Sequence, residues 1–492
     1  MGFTAIDAII VLVYLAGTAL FGVLMGGRQT SARDYFLSER PIPWWAICLT
    51  IVATETSALT FLSLPGMAWA GSMVFLQLAL GYILGRILVA IFFIPRYFEG
   101  SLETAYALLG QRFGNAVRRS SSAVFMLTRL FADGVRLYTT AIPLALLLRG
   151  FDVLPAGHES TVYLLSMAVL TVLTLVYVFA GGIRAVIWTD VLQWVVYVLG
   201  AVVSLYVLAD MLPMPLGQAL AQAADAGKFD VLRWPGADWI SQPYTVLSGV
   251  LGGALLSMAS HGTDHLIVQR VLAAKHPTPA RKAMVLSGVV VLLQFAIFLV
   301  VGVLLWAYDP VATGNPNEVF AAFILEHLPV GVRGLIVAGI LAAAMSTLSS
   351  SISALGSTTM MDFILPLRRS PLTAERALTW SRRISVLWAF ILLGAATVFI
   401  GTPKAVVELA LSIASYTYGG LLGLFVLGVL PVRLRSRAVL IGFVAGIAGA
   451  GAAIAFTALA WTWYTLVGAA ITVAVALLAH HIFPSTGQGV EA

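Results

Sequence analysis

Residues 53–66 read Ala53-Thr54-Glu55-Thr56-Ser57-Ala58-Leu59-Thr60-Phe61-Leu62-Ser63-Leu64-Pro65-Gly66. They interrupt a stretch, residues 42–69, that is otherwise apolar enough to be a single membrane helix. A charge in the hydrocarbon region costs about 2.5–3.5 kcal/mol on insertion scales. Lipid also offers no partner to a backbone group that leaves its helix, so such an interruption must face protein or a watery cavity. A second interruption, Ser257-Met258-Ala259-Ser260-His261-Gly262-Thr263-Asp264-His265, lies five helices further on. Broken helices in corresponding positions of two halves point to a transporter's binding site, because unwound turns offer carbonyls to ions and helix ends to solutes. A Pro-Gly kink that merely packs is the alternative for either break alone, and two breaks at matching depth count against it.

The composition agrees with a lipid environment. Of 492 residues, 60% are apolar and 10% are Asp, Glu, Lys or Arg, against roughly 25% charge in soluble domains. A span takes about 20 apolar residues. Stretches of that kind recur at 4–26, 42–69, 72–97, 116–148, 160–181, 183–211, 243–271, 278–308, 331–362, 378–401, 403–431, 436–457 and 460–482. The fold class is therefore an all-α integral membrane protein with about thirteen transmembrane helices. The first stretch has no basic segment before it and no small-residue cleavage site after it, so it reads as a retained helix rather than a signal peptide. Cys48 is the only cysteine, which excludes an internal disulfide and a cysteine metal cluster.

The net charge of +6 does not imply a nucleic-acid partner, since the charges fall in short loops beside membrane helices, where they set orientation. With the N-terminus outside, twenty of the 28 Lys and Arg fall on the inner side, from Arg28 to Arg437. Five fall outside (Arg149, Lys228, Arg233, Arg333 and Lys404), and Arg86, Arg129 and Arg136 remain inside helices. This bias places the C-terminus in the cytoplasm, in a chain expected to cross the cell (inner) membrane many times. The longer outer loops, 212–242 and 309–330, suit lids or short surface helices. Leu102 to Phe113 is amphipathic and is expected to lie along the inner face. The tail after Pro484 is short and polar, too small for an appended module.

A third signal is the run Ala342-Ala343-Ala344-Met345-Ser346-Thr347-Leu348-Ser349-Ser350-Ser351. Small residues allow close helix packing, but the hydroxyls exceed what packing requires. Ser346, Ser349 and Ser350 share one helix face, where their oxygens suit a hard cation. With few formal charges nearby, that cation reads as sodium rather than calcium or zinc. Glu55 and Asp190 are intramembrane carboxylates. The alternative role for Asp190 is an ion pair with a loop arginine. Arg129, Asp133 and Arg136 share another face, either as a structural ion triplet or as an anchor for an anionic solute, for which Arg129 and Arg136 are the candidates. His261 and His265 have the spacing of a zinc pair but no suitable third ligand.

The double glycine leading into Val186-Ile187-Trp188-Thr189-Asp190-Val191-Leu192-Gln193 resembles the signature of the solute:sodium symporters, the family of sodium/glucose, sodium/proline, sodium/monocarboxylate and bacterial sodium/sialic acid carriers. Gly262-Thr263-Asp264-His265-Leu266-Ile267-Val268-Gln269-Arg270 and the serine run resemble it too, over residues 1–435 in order and spacing. The resemblance implies a five-plus-five inverted-repeat, LeuT-like core with broken helices: an extra helix and loop at 1–41, a first repeat at 42–211, an outer loop at 212–242, a second repeat at 243–431, and further helices and tail at 432–492. It implies a first sodium site formed by the carbonyls of Ala53, Thr56 and Ala343 and the hydroxyls of Ser346 and Thr347. A second sodium is implied at Asp190, Ser346, Ser349 and Ser350. Solute contacts carry over to Ser57, Thr60, Ser260, His261 and Asp264. Glu55 stands where the sodium/proline branch has Asp and sugar carriers have Asn, a departure from the sugar pattern. Ala132 stands where the sialic acid branch has its carboxylate-anchoring arginine.

The function that follows is sodium-coupled import of a small polar solute (a sugar, amino acid or carboxylate) by alternating access. Proton coupling through Glu55 or Asp190 is the nearest alternative. A channel would show a continuous polar stripe rather than local breaks. A membrane enzyme would need a nucleophile, base and metal constellation that the sequence does not contain. Oligomeric state leaves no mark in the sequence.

Overall fold

The computed structural model describes residues 4–100, 102–150, 159–310, 316–400 and 406–482. The tail after Pro484, Lys404 and the first residues of the stretch expected from 403 lie outside them. Helices cover the expected apolar stretches. α1 is Ala5–Gly26, and the first break separates α2, Trp44–Glu55, from α3, Ala58–Ala70. α4 spans Met73–Tyr97, followed by α5, Ala105–Phe113, and α6, Asn115–Gly150. α7 runs from Glu159 to Met211. The second break separates α8, Val246–Gly262, from α9, His265–Leu272. Then come α10, Pro277–Tyr308, α11, Pro316–His327, and α12, Val332–Leu367. The chain finishes with α13, Ala374–Thr397, α14, Val406–Val429, α15, Ser436–Phe456, and α16, Tyr464–Ile482.

Every regular element among the described residues is a helix. On length and composition alone seven of these helices can cross a membrane, and the α2–α3 pair, bent by 66°, makes an eighth. α12 is the central pillar: 94% of its apolar window is buried, against 28% in α1 and α16. The polar serine run thus lies in the most enclosed of the candidate spans among the described residues, where hydroxyls must find partners inside the protein.

Three local features shape the site. Gly182 has φ +56 and divides α7 into two straight parts. A side chain there would also meet the Tyr35 carbonyl at 2.4 Å, so only glycine fits both the backbone and the approach. The C-terminal ends of α4 and α12 each contain one wide turn, Val89–Phe93 and Thr359–Ile364. Pro95 and Pro366 follow these turns; each lacks an N–H and clashes with the carbonyl four residues back, which the wider turn relieves. Finally, α5 turns its apolar face into protein rather than lipid: Tyr106, Leu109 and Phe113 are buried. The 212–242 loop contains a short helix, Leu216–Asp225.

Candidate functional site

The first break begins where α2 runs out. The Thr56 amide closes the last turn on Val52 O at 3.0 Å, and Thr56 and Ser57 are extended. The Ser57 amide turns forward to Thr60 Oγ1 at 3.4 Å, the start of a cap for α3. The carbonyls at the end of α2, from Ala53 onward, are therefore left without helical partners. This end of α2 lies beside α12: Thr54 Oγ1 is 3.3 Å from Ser350 Oγ. Ala53, Thr56, Ala343, Ser346 and Thr347 are all buried.

The hydroxyls are oriented by bonds they donate elsewhere. Thr347 donates to Ala343 O at 3.1 Å, and Thr56 donates to Val52 O at 2.8 Å while accepting from Gln294 Nε2 at 2.8 Å. Ser349 and Ser350 both donate to Ser346 O, at 3.0 and 2.7 Å. An O–H that points away leaves oxygen lone pairs free, so this donor set is chemically suited to sodium.

The second cluster is built around Asp190. Its Oδ1 accepts from Ser346 Oγ at 2.8 Å, and its Oδ2 accepts from Thr50 and from Arg270 Nη2, the latter at 3.1 Å. Arg270 also bonds Ser350, donates from Nε to Thr50 Oγ1 at 2.9 Å and from Nη1 to Leu266 O at 2.6 Å. Arg270 was expected among the cytoplasmic loop charges; it is instead fully buried. The cause is the second break, after which α9 resumes deep enough to set Arg270 against α2 and α7.

Glu55 joins the two breaks. Its carboxylate pairs with Arg86 and lies 3.6 Å from His261 Nε2 on α8. A carboxylate at a helix C-terminus opposes the helix dipole, so Arg86 supplies the compensation; Arg86 is held in turn by Ser287 Oγ at 2.6 Å. His261 Nδ1 is 2.8 Å from Ser260 Oγ, whereas its buried Nε2 has no hydrogen bond among the described residues.

Asp264 caps α9, accepting from the Leu266 amide at 2.9 Å. Its other oxygen holds Arg129 Nε at 3.1 Å and the Tyr418 hydroxyl at 2.9 Å. Arg129 further reaches Asp133 at 3.4 Å and Tyr418 at 2.7 Å. Asp133 accepts from Ser351 at 2.6 Å and from Arg136 at 3.3 Å. Ser57 and Thr60 pair with each other at the start of α3.

The structure thus brings together the first break, the serine run, Asp190, Glu55 and His261. Sequence reasoning missed Thr50, Arg86, Arg270, Gln294 and Tyr418 as partners. The one available signal was Arg86, an arginine stranded in an apolar helix, which needs a carboxylate nearby.

The profile of the sodium:solute symporter family matches residues 35–446. The chain belongs to that family. As a sodium:solute symporter it is a multi-pass membrane protein with a LeuT-like fold, and its activity is sodium-coupled symport of a small solute. It is 28% identical, over 98% of its length and 94% of the relative's, to the sodium/sialic acid symporter of Aliivibrio fischeri. It is 28% identical to the human sodium/iodide cotransporter, over 89% of this chain and 67% of that one. Its fold matches a solved structure of a Na+-coupled sialic acid symporter in a substrate-bound, outward-open state. The TM-score there is 0.84, with 24% identity, covering 98% of this symporter and 99% of that chain.

Proposed function

We propose that this symporter carries one sodium ion with each small organic solute into the cell, by alternating access between inverted repeats at 42–211 and 243–431. Sodium is assigned to the carbonyls of Ala53, Thr56 and Ala343 and the hydroxyls of Ser346 and Thr347. The observation that carries this assignment is the contact of Thr54 with Ser350, which sets the free carbonyl end of α2 against the serine run. An ion there bridges the broken helix to α12, so its occupancy favours the state in which the two are together. The second cluster of Asp190, Ser346, Ser349 and Ser350 already has a cation in Arg270. A second sodium would have to displace that guanidinium, which supports a single coupling ion.

The solute is assigned to the space among Glu55, Ser57, Thr60, Ser260, His261 and Asp264, beside the amide end of α3. Relatives named for sialic acid, iodide and monocarboxylates support a small polar solute. The clustering of Lys and Arg on alternate loops supports an outer N-terminus, a cytoplasmic C-terminus and an inner-membrane location. Proteoliposome uptake tests the assignment. It should require an inward sodium gradient, fail when choline replaces sodium at fixed pH, and fall at least tenfold in Ser346→Ala with Thr347→Ala. Uptake that persists with choline and follows a proton gradient would instead assign the coupling to Glu55 or Asp190.

A further inference from the structure

The helix α5 is held at both ends, and the two ends differ in what holds them. At its C-terminal end Ser436 Oγ donates to Phe113 O, and Arg112 Nη2 donates to Leu430 O and Val432 O at 2.8 and 3.1 Å. At its N-terminal end the partners are side chains of α9 and α12. Thr104 Oγ1 caps α5 by accepting from the Ala107 amide at 3.2 Å, and donates in turn to Asp362 at 2.7 Å. The Ala105 amide donates to His265 Nδ1 at 3.3 Å. A ring nitrogen that accepts from an amide carries no proton, so the neutral ring bears its proton on Nε2 and donates it to Ser357 Oγ, 3.1 Å away.

These bonds close a ring that leaves α12 at Asp362, crosses to Thr104 and Ala105, passes through His265 of α9 and returns to α12 at Ser357. All of these residues are fully buried. Asp362 is fixed on its far side by Arg118 Nε at 2.8 Å and Ser122 Oγ at 2.7 Å, both on α6. His265 is the member that sits on a broken helix, and it directly follows Asp264, a residue of the proposed solute space. When α9 leaves α12, His265 loses Ser357. The Ala105 amide is one of the four at a helix start that have no intrahelical acceptor. It then stays satisfied only if α5 travels with His265 or lifts its first turn to water. Glycines flank the segment as pivots: Gly100 before it and Gly114 after it have φ +88 and +92, a region that glycine enters without strain.

We propose that α5 is a lid over one end of the solute site, shut by the bond from Ala105 to His265 and raised with α9 when that end opens. In the orientation proposed above this is the cytoplasmic end. Sodium held between α2 and α12 also holds α9, because Arg270 bonds both Thr50 of α2 and Ser350 of α12, so its binding favours the shut lid. The proposal rests on the sodium assignment above only for that last step, and adds the element that closes the site.

Hydrogen–deuterium exchange of the full-length protein in nanodiscs tests it, read on the peptides at residues 102–114, 44–57 and 5–26. In the parent, sodium in place of choline should slow exchange at 102–114 by about fivefold or more. His265→Leu, which neither accepts nor donates, should speed it about tenfold in either salt. His265→Gln, whose amide does both, should exchange as the parent does. Thr104→Val removes the link to Asp362 with His265 in place and should speed exchange at 102–114 too, which keeps the test decisive where His265→Leu fails to fold. The peptide 5–26 should not change in any of them. Exchange at 102–114 that stays at the parent rate in His265→Leu or Thr104→Val, in protein that melts as the parent does, overturns the latch. Sodium that slows 44–57 but not 102–114 overturns the lid and leaves the sodium assignment standing. Sodium that slows neither peptide overturns the sodium assignment, and His265→Leu in choline then decides the latch by itself.

Discussion

Glu55 shows how one side chain is tied to the whole site. Arg86 is fully buried and the Glu55 side chain is 17% exposed, and removing Glu55 leaves the arginine as an uncompensated buried charge, at a cost of up to about 3–5 kcal/mol. Glu55→Gln should therefore lower thermal stability by that amount in sodium-free buffer, where ion binding cannot mask it. Joining Arg86→Met to it should recover most of the loss, since an apolar replacement of both partners is close to neutral. A double-mutant cycle read by thermal unfolding checks this, and additive losses would mean the two side chains do not act as a pair. Gln294 offers a gentler case. It accepts from Trp194 Nε1 at 2.8 Å and donates to Thr56 Oγ1 at 2.8 Å. Gln294→Leu strands both groups at about 1–3 kcal/mol. It should raise the sodium concentration for half-maximal uptake more than the solute concentration, because it loosens Thr56 and touches no solute residue.

At the scale of helices, close backbone approach decides where α3 sits. A methyl group on Gly302 of α10 would lie 2.0 Å from the Pro65 carbonyl, so α10 fits against the bent α3 only because residue 302 has no side chain. Gly302→Ala should cost about 1–3 kcal/mol as overpacking. Gly17→Ala on α1, with open space around it, should be neutral or slightly stabilising, by about 0.4–1 kcal/mol through the unfolded chain. Melting temperatures of the two variants side by side decide it. These helices were legible in advance because length and apolarity are local properties. Both breaks were too, because Glu55, Pro65-Gly66 and the Gly262-Thr263-Asp264 turn contradict their surroundings. The kink at Gly182 showed itself as a double glycine. The partners were not legible. Glu55 finds Arg86 31 positions away and Asp190 finds Arg270 80 positions away, and periodicity carries no information about contacts between helices. Arg270 misled for a physical reason: it stands five residues before Lys275, at the end of an apolar stretch, and looks like the first charge of a loop. The break at Thr263 and Asp264 lets α9 restart inside the bundle and carry that arginine with it.

For the whole molecule, coupling is a difference in affinity between two arrangements of the same helices. In the proposed assignment the sodium oxygens come from α2 on one side and α12 on the other, and the solute groups from around α3 and α8, so each ligand would be complete only when the broken helices and the pillar are together. Neither ligand can shift that equilibrium by more than its own preference for the closed arrangement. Linkage then requires the factor by which sodium tightens solute binding to equal the factor by which solute tightens sodium binding, typically 5–150-fold, or about 1–3 kcal/mol. For a single coupling ion this equality should hold across the whole sodium range, with a Hill coefficient of about 1 for sodium. Titrating solute at fixed sodium, and sodium at fixed solute, on the same protein in nanodiscs measures both factors. A Hill coefficient approaching 2, or a solute affinity that keeps rising after the first sodium site is saturated, would mean that Arg270 yields Asp190 and Ser350 to a second ion. In that case Arg270→Lys, which keeps the charge but loses the forked geometry, should change the second phase of the titration and leave the first in place.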